Sequence, residues 1–77
     1  MDVHKVTFLD GAEATFAVIP ADHVEFERRY GAMDLIQVAL TEHALFLVYA
    51  AARREGKTKR LVFEQWITTV AGVTSDE

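Results

Sequence analysis

The sequence predicts an α+β fold: an N-terminal β-hairpin followed by about three helices, the central one long. Three observations predict it. Apolar residues alternate with period two over the first twenty positions, they recur at three- and four-residue spacing afterwards, and the four glycines (11, 31, 56 and 72) fall between these stretches.

The hairpin is expected over residues 3–19. Val6 and Phe8 alternate with Lys5 and Thr7, and Ala14, Phe16 and Val18 alternate with Thr15 and Ala17, the pattern of half-buried strands. Asp10-Gly11 between them suits the positive φ angles of a hairpin turn. Pro20 ends the second strand because it cannot donate to a ladder. Asp22-His23-Val24-Glu25 then reads as a capping box, opening a first helix over residues 22–30 that stops at Gly31. Phe26 and Tyr30, four apart, share one face of it.

From Asp34, a candidate N-cap, neither Gly nor Pro interrupts the chain before Gly56. This predicts a central helix over residues 34–55, either continuous or broken near Thr41-Glu42. Leu35, Val38, Glu42, Leu45, Tyr49 and Ala52 mark one stripe along it. Ile36, Leu40, Leu47 and Ala51 mark a second, so its own domain is expected to cover only part of its apolar surface. After a polar connector, Phe63, Trp66, Ile67 and Val70 follow the i, i+3, i+4, i+7 spacing of an amphipathic helix. That helix is expected over residues 62–71, ended by Gly72, with residues 73–77 as a frayed tail.

With 77 residues the chain is long enough for one hydrophobic core and too short for two, so residues 1–77 are read as a single domain. The absence of cysteine excludes disulfides and thiolate metal sites and suits a reducing compartment. The first residues lack a basic start followed by an apolar stretch, so export is not expected. The longest apolar run, residues 44–52, is about half of the ~18–20 residues needed to cross a bilayer, and no membrane role is expected. Apolar residues make up 51% of the chain, rich enough for a small domain that some of this surface is expected to meet a partner.

The net charge of −4 argues against general attraction to phosphate or to an anionic membrane. It is unevenly distributed, because Arg53, Arg54, Lys57, Lys59 and Arg60 form a basic cluster with Glu55 as its only acid. That cluster could contact nucleic-acid phosphates, as in a small nucleic-acid-binding regulator. An acidic protein surface is an equally good counterpart, and a solvated helix end is the plain structural reading.

Catalysis is not expected, and neither is a cofactor. Serine occurs once, at Ser75, and the glycines are too dispersed to cradle a phosphate. Glu25 and Glu27 are two apart on a helix and point to different faces. His4, His23 and His43 lack metal-ligand spacing, so no metal site is predicted. Trp66 with Phe63 reads either as core or as an exposed interface anchor.

Four segments in order carry a resemblance: Val6-Thr7-Phe8-Leu9-Asp10-Gly11 with its return strand; Phe26-Glu27-Arg28-Arg29-Tyr30-Gly31; Leu45-Phe46-Leu47-Val48-Tyr49-Ala50-Ala51-Ala52-Arg53-Arg54; and Phe63-Glu64-Gln65-Trp66-Ile67-Thr68-Thr69-Val70. Over nearly its whole length the chain resembles the tail assembly chaperones of long-tailed bacteriophages, in the short form found in phages of actinobacteria. It departs from that pattern at Tyr49, where tryptophan is common, and at Leu61-Val62, where a small polar cap is usual. The resemblance implies a non-catalytic protein that coats the tape measure protein in the host cytoplasm and keeps it in solution. It would yield as tail tube subunits polymerise and be absent from the mature virion. It also implies homo-oligomers, and often a longer product made by translational frameshifting. Helix-in-groove binding would use Ile36, Leu40 and Leu47, or the face of Phe63, Trp66 and Ile67. A structural connector of the virion is a third reading.

Overall fold

The computed structural model describes residues 2–31 and 40–75. Strand β1 (Asp2–Phe8) pairs antiparallel with β2 (Glu13–Val18), Val6 opposite Ala14 and His4 opposite Phe16. Residues 9–12 connect them, three of them enclosed by the closing pair Phe8 and Ala12. The Gly11 N–H donates to the Phe8 carbonyl at 2.9 Å, Gly11 has φ +91°, and the Phe8 N–H donates to the Ala12 carbonyl at 2.8 Å. Only the glycine needs positive φ. Asp10 instead uses its side chain, accepting the Ala12 N–H at 2.9 Å.

Helix α1 (Pro20–Tyr30) begins two residues before the expected start. Proline is favoured at the first helical position, where its missing N–H costs nothing. Asp22 therefore stands one turn inside, not at the cap, and its Oδ2 reaches back to accept the Ile19 N–H at 2.9 Å. The expected box with Asp22 as the cap and Glu25 reaching back is not formed: the cap residue is Ile19, whose side chain accepts nothing, and only the reach-back half exists, made by Asp22.

Helix α2 (Leu40–Arg54) is the long helix of the described residues. Positions 34–39 of the expected helix, with Leu35, Ile36 and Val38, lie outside them. Its C-terminus is closed by a paired motif, the Lys57 N–H donating to the Ala52 carbonyl at 2.9 Å and the Gly56 N–H to that of Arg53 at 3.0 Å. Gly56 supplies the φ of +73° that this motif requires. All seven residues from Phe46 to Ala52 are buried, because α2 packs on α1, on β2 and on the short helix α3 (Phe63–Trp66). In this half of the helix both apolar stripes are covered by the chain itself, contrary to the expectation that one would stay free.

The largest difference from the sequence-based expectation follows Trp66. The α-helical geometry ends there, passes through one 3₁₀ turn (Ile67–Thr69), and gives way to strand β3 (Val70–Ser75) in place of a helix to residue 71 and a frayed tail. Ile67, Thr68, Thr69 and Val70 are four consecutive β-branched residues, which lose side-chain freedom in a helix and fit a pleated surface. The hydroxyls of Thr68 and Thr69 also donate to the carbonyls of Gln65 and Trp66, both at 2.6 Å, at the point where the helix unwinds. β3 pairs antiparallel with the free side of β1, giving the order β2-β1-β3. Val73 lies opposite Val6 and Val70 opposite Phe8, with a bulge where Ala71 is the extra residue. Residues 76 and 77 of the expected tail lie outside the described residues.

The chain is thus a mixed α+β fold, its described part holding three antiparallel strands and three α-helices. Val6, Phe16 and Val18 from the sheet, Phe26 from α1, the buried run of α2, and Phe63 and Trp66 form one core. A file of aromatic rings runs through it at centroid spacings of 5.2–6.2 Å: Phe26, Phe46, Phe63, Tyr49, Trp66 and Phe8. It ties all three helices to β1.

Candidate protein-binding surface

Beside this core, concavities open among the described residues, and three of them exceed about 400 Å³. The first, about 480 Å³, lies between the start of α2 and strand β3. Thr41, Ala44 and Leu45 form one wall, Ile67, Val70 and Val73 the other, and His4 of β1 joins the lining. It lies beside the packing of α2 on β2. Its lining is mainly aliphatic, and Ala44 and Ala71 are exposed.

The second, about 410 Å³, lies between the hairpin loop and the segment joining α2 to α3. Phe8, Leu61 and Trp66 line its depth, and Leu9, Lys57 and Lys59 stand at its edge.

The third, about 420 Å³, is an arginine-bearing face across α1, α2 and α3, with Arg28, Arg29 and Arg53 above Phe46, Tyr49 and Phe63. The Arg29 guanidinium lies 4.9 Å from the ring centre of Phe63, 5.4 Å from Phe46 and 5.5 Å from Tyr30. It also pairs with Glu64. The hydrogen bond between them raises the pKa of Arg29 and lowers that of Glu64. Next to it the Tyr30 hydroxyl donates to Glu42. Burial first, and this hydrogen bond second, push the phenol above its ordinary value. Arg29 is exposed yet committed to these rings and to Glu64, whereas Arg53, also exposed, makes no such contact among the described residues.

The residues of the two expected binding faces fall as follows where they are described. Leu47, Phe63 and Trp66 are 8%, 4% and 2% exposed and serve the chain's own core. Ile67 keeps part of its surface and lines the α2–β3 groove. Leu40 opens α2, and Ile36 lies outside the described residues.

The basic cluster is likewise divided. Arg54 is structural: its Nε lies 3.3 Å from Oδ1 of Asp22, and its Nη2 donates to the Ala17 carbonyl at 2.9 Å. Arg53 joins the arginine-bearing face, whereas Lys57 and Lys59 border the groove by the hairpin loop and Arg60 stands next to them in sequence. Sequence reasoning missed the Arg54–Asp22 link and the stacking of Arg29. A buried acid in the first turn of one helix and a cation in the last turn of another gave no signal of spatial contact.

Among the described residues no group of three His, Asp or Glu side chains stands close enough to hold a metal ion, and no helix is long and apolar enough to cross a membrane. Compared with known families, curated proteins and solved structures, the chain matches none.

Proposed function

We propose that the chain is a non-catalytic assembly chaperone of a long-tailed bacteriophage that binds the tape measure protein and keeps it in solution until the tail tube forms around it. The ordered segments described above supply the kind of partner. The observation that carries the reading is the mainly aliphatic groove between α2 and β3, bordered by Ala44, Leu45, Ile67, Val70 and Val73. A shallow aliphatic groove of this kind takes the apolar face of a partner helix. Action in the host cytoplasm, absence from the finished virion, contact with tail tube subunits and self-association belong to the same proposal.

The nucleic-acid reading is supported less well, because Arg54 is committed to Asp22, Arg53 lies on one surface, and Lys57 and Lys59 lie on another. The test is co-expression with the tape measure protein encoded downstream, with the absolute mass of the soluble fraction measured by light scattering. The expected result is a soluble complex that Ala44→Glu, a charge placed on an exposed wall of the groove, weakens at least tenfold. A tape measure protein that precipitates equally with and without the chain would overturn the proposal.

A further inference from the structure

We propose that the groove beside the hairpin loop is a docking site for an acidic peptide segment that inserts an apolar side chain between Leu9 and the turn at residues 58–61. This is a second surface, distinct from the α2–β3 groove, and it does not depend on the chaperone reading.

The argument begins with the backbone. Lys59 and Arg60 both have positive φ, +54° and +62°, and the Leu61 N–H donates to the Thr58 carbonyl at 3.0 Å. That is a type I′ turn, whose two central positions favour Asn-Gly and disfavour long side chains with a Cβ. Two cations in succession there are a local cost, and such cost is commonly retained where the side chains have a use. The turn follows directly on Thr58, 5% exposed and so anchored in the fold.

The second observation is what the turn overlooks. Trp66 and Phe8, in edge-to-face contact at 6.2 Å, line the groove together with Leu61. Leu9 stands at its edge with 71% of its surface exposed, the most exposed large apolar residue described. At about 410 Å³ the groove falls in the lower part of the range of roughly 300–1,000 Å³ found for ligand pockets.

The third observation is charge. Among the described residues neither Lys59, on the lining, nor Arg60, beside it in the turn, has an ion pair or a hydrogen-bonding side chain as partner, and Lys57, also on the lining, has only Glu55 at 3.7 Å. Asp10, the acid on the lining, is turned to the Ala12 N–H. An apolar lining under unpaired cations complements a segment that carries carboxylates around an apolar residue. It suits nucleic acid poorly, since Trp66 is 2% exposed and offers no free face on which a base could stack.

Trp66 is the chain's only tryptophan and so reports on this groove. The test is a fluorescence titration of the full chain with the acetylated, amidated heptapeptide DEELFED, its neutral counterpart NQQLFQN, and a single-stranded oligothymidine. Expected are saturable binding of the acidic peptide, binding at least tenfold weaker for the neutral one, and weakening with added salt.

Lys59→Asn combined with Arg60→Gly installs the residues this turn prefers. It is expected to raise the thermal midpoint by several degrees while cutting affinity for the acidic peptide at least tenfold. Gain of stability with loss of binding separates a docking role from a merely structural one. The proposal is overturned if the two peptides bind alike, if the oligothymidine binds more tightly than the acidic peptide, or if the double variant keeps its affinity. It is also overturned if the chain alone self-associates and the double variant abolishes that, which would give the groove to a second copy.

Discussion

At the scale of single residues, Arg54 shows how a surface-looking cation can be structural. Asp22 is 1% exposed, and its carboxylate accepts both the Ile19 N–H of the α1 start and the Arg54 guanidinium. Arg54→Ala would leave that carboxylate buried without its counter-charge. The expected cost is about 3 kcal/mol, measurable by urea denaturation, whereas Arg53→Ala on the exposed neighbour is expected to change stability by less than about 0.5 kcal/mol. Glu64 gives a pH-dependent counterpart. The hydrogen bond from Arg29 holds its folded pKa below the ordinary glutamate value. The stabilisation is thus present above the unfolded-state pKa and lost as pH falls through the lowered folded one. Thermal midpoints of the parent and Glu64→Gln should differ at neutral pH and converge on acidification through and below the glutamate range; a constant gap would show that the pair contributes nothing. Tyr49 adds a further detail. Its hydroxyl donates to the Leu61 carbonyl at 2.7 Å, so one departure from the resembled family's pattern is bonded to the backbone of the other. Periodicity alone could not show that link, because it orders residues along an element and says little about polar contacts between elements.

At the scale of elements, the hairpin, α1 and the described length of α2 were legible because each is a local pattern closed by local punctuation. Alternation marked Val6, Phe16 and Val18, and Gly31 and Gly56 marked the helix ends. The C-terminal segment was not legible in the same way. Phe63, Trp66, Ile67 and Val70 have helical spacing, but that spacing competes with a β-branched run and with a sheet edge that becomes visible only once the hairpin is folded. The tertiary edge wins because pairing with β1 gives the β-branched run backbone partners and adds a third strand to a hairpin that is marginal by itself. The candidate site followed the same division. Its residues were found by type, but burial reassigned Leu47, Phe63 and Trp66 to the core and left Ile67 and the β3 wall, Val70 and Val73, as the surface. The order β2-β1-β3 also makes a prediction of its own. Among the described residues β1 is flanked on both sides while β2 and β3 are the edge strands, so amide hydrogen exchange should be slowest in Val3–Thr7 and faster in Ala71–Thr74. Equal protection of β3 in dilute solution would mean that something pairs with its outer edge.

At the scale of the whole molecule, the described fold is tied together by contacts between residues far apart in sequence. Its radius of gyration, 11.9 Å, is close to the roughly 11.5 Å expected for a compact chain of this length. The file of aromatic rings joins the helices to the sheet, and β1 meets β3, near the opposite end of the sequence. Such long-range pairing slows folding compared with helical bundles. Refolding followed by Trp66 fluorescence is therefore expected on the order of milliseconds or slower; a microsecond phase carrying the whole amplitude would show that the sheet does not limit the rate. The pairing of β1 with β3 also has a meaning in time. A ribosome delivers β1 and β2 first, and at about 5–20 residues per second the residues of β3 follow only after a few seconds. During that interval one edge of β1 has no partner from its own chain, so each newly made molecule passes through a stage in which the middle of its future sheet is an open edge.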